Sequence, residues 1–227
     1  MPGWYGARVA TGDSGAGGAG ASDSGAGDAG AYARTERSTT RRLAARGNYD
    51  RQVVHAILDE ALVAHLAVTT DSGPRVLPIM HTRLGEVVYV HGSVANRTLR
   101  EASGQPVCLA VTLLDALVLA RSAFHHSMNY RSVVVYGTAG VVVDPDEKRS
   151  ALDAIVERSA PGRAAEARPP TEAEMRSTLV LSIPLVEVSA KVRTGGPIDD
   201  EADMSWPVWA GIIPLQLVAG DPVAEPS

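Results

Sequence analysis

Residues 87–99 read V-V-Y-V-H-G-S-V-A-N-R-T-L, a β-branched run closed by Gly92 and Ser93 and followed by an asparagine and an arginine. The pattern predicts a strand, a small-residue turn and the start of a helix, with Ser93 placed to cap and Arg97 to add charge. Free backbone N–H groups and the positive end of a helix then face one point, which suits a phosphate or another anion. The same residues also serve as an ordinary turn and cap, and the pattern alone does not separate the two readings. His91 ends the strand beside this point. It is the one candidate for acid–base chemistry here, because an imidazole titrates near neutrality. His125 and His126 are neighbours in an expected loop. In an extended segment they point to opposite sides, and no carboxylate or cysteine completes a ligand set, so no metal site is expected.

These residues need a scaffold, and the chain supplies one dominated by strands. Asp50 is a helix N-cap ahead of Val53, Val54, Ile57, Leu58 and Ala61, apolar at helical spacing. Strands are expected over residues 62–70 and 75–82, joined by the Asp71-Ser72-Gly73-Pro74 turn, and then over 87–91. A short helix over 94–103 follows. Residues 107–114 and 117–122 are apolar at successive positions, which predicts two strands covered on both faces. The run from 129 to 142, N-Y-R-S-V-V-V-Y-G-T-A-G-V-V, reads as a long strand whose glycines let it bend. Asp144, Pro145 and Glu147 start a helix to about Arg158, Thr171 and Glu174 form a capping box, and residues 179–192 have strand character. This order predicts a mostly β fold, an antiparallel barrel with peripheral helices.

Composition narrows the function. The 227 residues are 45% hydrophobic with a formal charge of −5, which disfavours nucleic acid as a ligand because phosphate-backbone binding needs a basic face. Residues 10–31 are almost all Gly, Ala, Ser and Asp, so residues 1–34 are expected to form a disordered tail. A basic entry segment (35–48), a folded domain (49–215) and a flexible C-terminal tail (216–227) complete the expected organisation. The lone cysteine, Cys108, is expected to be a buried small hydrophobe in a reducing compartment. No apolar stretch is long enough to span a membrane and no leader precedes the domain, so a cytoplasmic protein is expected.

In order and spacing, the two strand segments resemble the FMN-binding split-barrel family of pyridoxamine 5'-phosphate oxidase, especially its nitroimidazole-resistance-like branch, over residues 49–215. The resemblance implies that the turn after the third strand holds the FMN phosphate through Val90, His91, Ser93, Asn96 and Arg97. It further implies that the backbone of Val76, Leu77, Pro78, Ile79, Met80 and His81 lies along the isoalloxazine ring. A proline in a strand belongs at an edge, where a planar ligand can meet the remaining backbone groups. Tyr130, Arg131 and Ser132 match the Y-R-S that opens the long strand in that branch, placing Arg131 near the flavin or in a structural ion pair. Trp206 or Trp209 covers the ring from a C-terminal segment that folds back toward the cofactor. The Arg-Leu-x-Pro with which the oxidase grips pyridoxine phosphate is here Gly211-Ile212-Ile213-Pro214, so a flavin-dependent oxidoreductase acting on another small molecule is implied. Haem, bound through His81, His91, His125 or His126, and a deazaflavin are the alternative cofactors. A homodimer is implied, covering the outer face of residues 107–119.

Overall fold

The computed structural model describes residues 30–225. Its elements are β1 (Gly47–Asn48), α1 (Arg51–Glu60), β2 (Val63–Thr70), β3 (Gly73–Leu84), β4 (Val87–Ser93), α2 (Arg97–Ala102), β5 (Pro106–Leu119), β6 (Ser127–Thr138) and β7 (Gly140–Val141). They continue with α3 (Pro145–Ser159), α4 (Arg163–Glu166), α5 (Glu172–Ser177), β8 (Thr178–Pro184), β9 (Glu187–Arg193) and β10 (Gly211–Pro214). All strand pairs are antiparallel, in the order β1-β9-β6-β5-β2-β3-β4-β8-β7, with β10 added to β5. This is the expected split barrel with helices outside it.

The helix signals act as the sequence predicts. Asp50 accepts the N–H groups of Gln52 and Val53, Asp144 those of Asp146 and Glu147, and Thr171 with Glu174 closes a capping box. Alternating residues of the strands fill the interior: Leu66, Val88, Val90, Leu109, Val111, Val133, Val135, Leu181 and Ile183 are fully buried with Val54, Ile57 and Leu58 of α1. At about 1.5–3 kcal/mol for each large side chain removed from water, this cluster dominates the stabilisation of the barrel.

Three expectations change. The apolar run from 107 to 119 is one strand, not two, kinked where Asp115 is squeezed out between Leu114 and Ala116 of the β5–β6 ladder. It alternates, leaving Leu114 and Leu117 exposed and Cys108 half-covered on the outer side. Residues 179–192 are two strands, because the chain turns at Leu185 and Val186 after Pro184. Finally, the domain begins earlier than residue 34. Ala31 bridges to Asp50, and Tyr32, 4% exposed, donates to Glu86 (2.8 Å) and lies 2.9 Å from His55 Nε2. The rest of the expected tail, residues 1–29, lies outside the described residues. Nor is the entry segment simply solvated: Ser38 is buried, and Thr35 and Arg37 both bond Glu187. No helix among the described residues is long and apolar enough to cross a membrane.

Candidate functional site

Strand β3 changes partner half-way. Residues 73–80 pair with β2, from Thr70↔Gly73 to Val63↔Met80, whereas residues 81–84 pair with β4. On the flank away from β2, residues 73–80 therefore have no strand beside them among the described residues. Pro78, which has no N–H to give a ladder, stands within this one-sided stretch, as an edge position requires. The pleat divides the six residues assigned to the ring. Leu77 and Ile79 pack on the core, His81 is fully buried, and Val76 and Pro78 project outward. This flank is bordered by backbone groups, with Val76 and Pro78 exposed beside them.

His81 is a structural residue. Its Nε2 donates to the carbonyl of Leu58 at 3.0 Å, tying β3 to the end of α1, and its Nδ1 is buried without a hydrogen-bond partner. Burial, reinforced by the nearby Arg158 charge, lowers its pKa to about 4, so the ring is neutral. This burial argues against the ring as an axial ligand, whereas the flavin contact expected of His81 is one of its backbone.

The turn after β4 is built as predicted. Ser93 Oγ accepts the N–H of Ala95 (3.1 Å), and Asn96 Oδ1 accepts that of Leu99 (3.1 Å) as the cap of α2. A Cβ on Gly92 would lie 2.6 Å from Leu99 Cδ1, so a larger residue there would force the buried Leu99 side chain to shift. Arg97 Nε donates to Glu101 (2.7 Å), and the other oxygen of that carboxylate lies 3.2 Å from Arg75 Nη1 on β3. Two arginines, Arg75 of β3 and Arg97 of α2, thus share one acid. The Arg97 hydrogen bond holds the Glu101 carboxyl below its usual range despite the opposing effect of desolvation. The Arg75–Glu101 pair is not legible in the sequence because its partners lie 26 positions apart, on elements that do not adjoin in sequence. His91 is half-buried beside this turn. Its Nδ1 is shielded without a hydrogen-bond partner, and burial lowers its pKa. Val90 is fully buried and flanked by His81 and Leu181 in the sheet, so it supports the turn and cannot offer its side chain to a ligand.

The third predicted group lies elsewhere. Arg131 donates through Nε and Nη2 to Asp115 (3.0 and 2.8 Å) and through Nη2 to Glu60 (2.7 Å). The carboxylates of Glu60 and Asp115 keep its pKa raised. This is the structural ion pair, pinning the β5 kink to the end of α1, and it lines a cavity of about 780 Å³ with Thr112, Leu114 and the chain around Leu217. Tyr130 and Ser132 take the opposite side of β6 from Arg131 by the alternation of the strand. Trp206 and Trp209 are 66% and 60% exposed, so within one chain neither covers the β3 flank from a packed position. His125 does meet carboxylates, contrary to expectation: its Nε2 lies 3.2 Å from Asp200 Oδ2, and its ligand atom, with those of Asp200 and Asp203, falls within a 4.8 Å group. The acids come from a segment 75 residues away, which spacing in sequence could not show.

A family model described as pyridoxamine 5'-phosphate oxidase matches residues 50–192, the span of this barrel. The chain belongs to that family. Among solved structures of similar fold, the flavocytochrome Anf3 from Azotobacter vinelandii is 38% identical, with a TM-score of 0.81 over 86% of this chain and 91% of its own. An FAD and haem binding protein from Mycobacterium smegmatis is 36% identical, with a TM-score of 0.76 over 80% of this chain and 89% of its own. A candidate 5-nitroimidazole resistance protein from Bacteroides thetaiotaomicron, 21% identical with a TM-score of 0.55 over 64% of this chain and 86% of its own, shares the fold. No curated protein matches the chain. Within the oxidase family, residues 211–214 take a different form here. They are strand β10, paired from Gly211↔Leu119 to Pro214↔Ala116.

Proposed function

We propose that the chain is a redox flavoprotein whose isoalloxazine ring lies along the unpaired flank of residues 73–80. In this reading the flavin phosphate rests on Ser93, Asn96 and Arg97, with Arg75 adding charge from β3. The observation that carries it is the one-sided pairing of β3 beside the Arg75–Glu101–Arg97 rim. A row of backbone groups with no strand beside it, next to two arginines that share one acid, suits a planar heterocycle that ends in phosphate. Bound flavin supplies the hydride and electron chemistry. The protein's share is to fix the phosphate, present backbone to the ring edge and exclude water from one face. The relative that binds FAD favours FAD over the FMN of the family resemblance.

Two further parts of the reading are proposals. The outward face carries exposed Val63, Val76, Leu114 and Leu117, an apolar surface that supports a homodimer. Haem as a second cofactor is favoured by two relatives, both more than a third identical, whose names pair haem or cytochrome with flavin. The substrate is then a small electron acceptor or donor other than a B6 phosphate.

The test is the cofactor content of the full chain purified from cells. Visible absorbance shows flavin, and chromatography of the acid-released cofactor separates FAD from FMN. A colourless protein that takes up neither flavin in a fluorescence titration refutes the reading.

A further inference from the structure

The β5–β6 connection is fastened to the segment before β10 at a buried acid. Arg121 donates through its backbone N–H (2.8 Å) and through Nη1 (2.9 Å) to Asp199, whose side chain is 1% exposed. This anchor brings the next residues on either side together. Ser122 Oγ accepts the N–H of Phe124 and the Ser122 carbonyl that of His125, closing a single turn from which His125 Nε2 reaches Asp200 Oδ2 at 3.2 Å. Phe124 meets the His125 ring edge-on, with centroids 5.2 Å apart. On the facing segment the N–H of Asp203 bonds the Asp200 carbonyl, so both aspartates belong to one tight turn.

Three ligand atoms converge there: a ring nitrogen of His125 and one carboxylate oxygen each from Asp200 and Asp203 all lie within 4.8 Å of one another. Ligands held about 2.0–2.1 Å from a tetrahedral ion stand roughly 3.3 Å apart, so the His125–Asp200 edge already has the spacing of a coordination shell. Neither carboxylate has a competing task. Asp200 does not cap the turn that follows it, and the half-buried Asp203 side chain takes no hydrogen bond or ion pair among the described residues. Asp200, Glu201 and Asp203 place three negative charges beside one arginine, and Arg121 is already engaged by Asp199. Two carboxylates this close repel unless a cation lies between them.

We propose that His125, Asp200 and Asp203 form a site for a divalent transition-metal ion of the zinc class, with water in the remaining position. The neutral imidazole releases its Nε2 proton to solvent, keeps the one on Nδ1 and gives the ion a lone pair, while the two aspartates supply anionic oxygens. The imidazole decides the class of ion, since calcium and magnesium take oxygen ligands. Bound there, the ion clamps the β5–β6 connection to the segment that leads into Trp206, Trp209 and β10. Nothing in this assignment rests on the flavin or haem readings.

The experiment dialyses the untagged full-length protein and its H125A, D203N and H65A variants against Zn2+, measures bound metal, and follows melting temperature and circular dichroism. Co2+ serves as a coloured substitute whose visible absorption reports the ligand geometry, and Ca2+ is the oxygen-seeking control. The expected result is one zinc per chain with a raised melting temperature in the parent and in H65A, and an affinity lowered by more than about tenfold in folded H125A and D203N. Asparagine at position 203 keeps the size of a side chain that makes no described hydrogen bond, so D203N separates lost ligation from misfolding. A parent that takes up no zinc and gains no melting temperature overturns the assignment. Equal responses to Ca2+ and Zn2+, or a zinc affinity undiminished in either folded variant, overturn it as well.

Discussion

The buried imidazole of His81 makes stability depend on pH in a calculable way. Its folded-state pKa is about 4 against 6.5 for a free side chain. Between these values the unfolded chain binds a proton that the folded chain refuses, so stability is present above about pH 6.5 and is lost as pH falls toward 4. The full gap of about 2.5 units corresponds to about 3 kcal/mol, and at pH 5 about 2 kcal/mol of it is already gone. Arg158 opposes protonation and Asp59 favours it, while burial is the largest influence. Glutamine at position 81 can keep a neutral N–H directed at the Leu58 carbonyl but cannot titrate. Urea unfolding of the parent and H81Q from pH 7 to 5 therefore isolates the effect, since other groups cancel in the difference. H81Q is expected to start less stable because its fit is poorer, and then to gain on the parent by about 2 kcal/mol by pH 5. A difference that stays constant over this range refutes the account of His81 as a neutral brace.

Replacing Arg97 with Ala is expected to weaken flavin binding by roughly 1–2 kcal/mol, the low side of a charge-assisted contact because the side chain is largely exposed; equal fluorescence titrations of mutant and parent refute the phosphate assignment. Removing residues 1–29 is expected to leave the melting temperature unchanged, whereas removing 1–34 takes away Tyr32 and its contacts with His55 and Glu86 and lowers stability by about 3 kcal/mol; matching melting curves for the two truncations count against it. Leu114→Arg is expected to give a monomer in light scattering with reduced flavin content, and a dimer of undiminished mass refutes the interface. A Gly92→Ala chain is expected to lose stability by about 1–3 kcal/mol through overpacking on Leu99, checked by the same unfolding assay.

Much of this arrangement was legible in the residues because it is local. Asp50, Asp144 and Thr171 announce their helices through capping geometry that involves only the next three residues, and the turn at Ser93 and Asn96 follows the same rule. Pro78 marked an edge correctly, since the missing N–H is a property of the residue itself. What escaped depends on chain segments far apart. The Arg75–Glu101 pair, the grip of Asp115 and Glu60 on Arg131, and the approach of Asp199 and Asp200 to the β5–β6 connection arise only when the sheet brings them together. Tyr32 was hidden for another reason: a single aromatic beside a low-complexity run carries too little apolar weight to show that it packs. The kink at Asp115 was read as a break because a bulge interrupts alternation in the way a turn does.

The one-sided pairing of β3 has a cost in the absence of ligand. On the flank away from β2, residues 73–80 present backbone groups with no strand beside them among the described residues, with Val76 62% exposed, which is a template on which a strand from another molecule can add. A bound flavin would occupy that template as well as serve chemistry. Solubility of newly made protein then becomes a matter of cofactor supply: cells short of flavin are expected to accumulate aggregates of this chain, and flavin added during synthesis to recover it by mass action on the folded state.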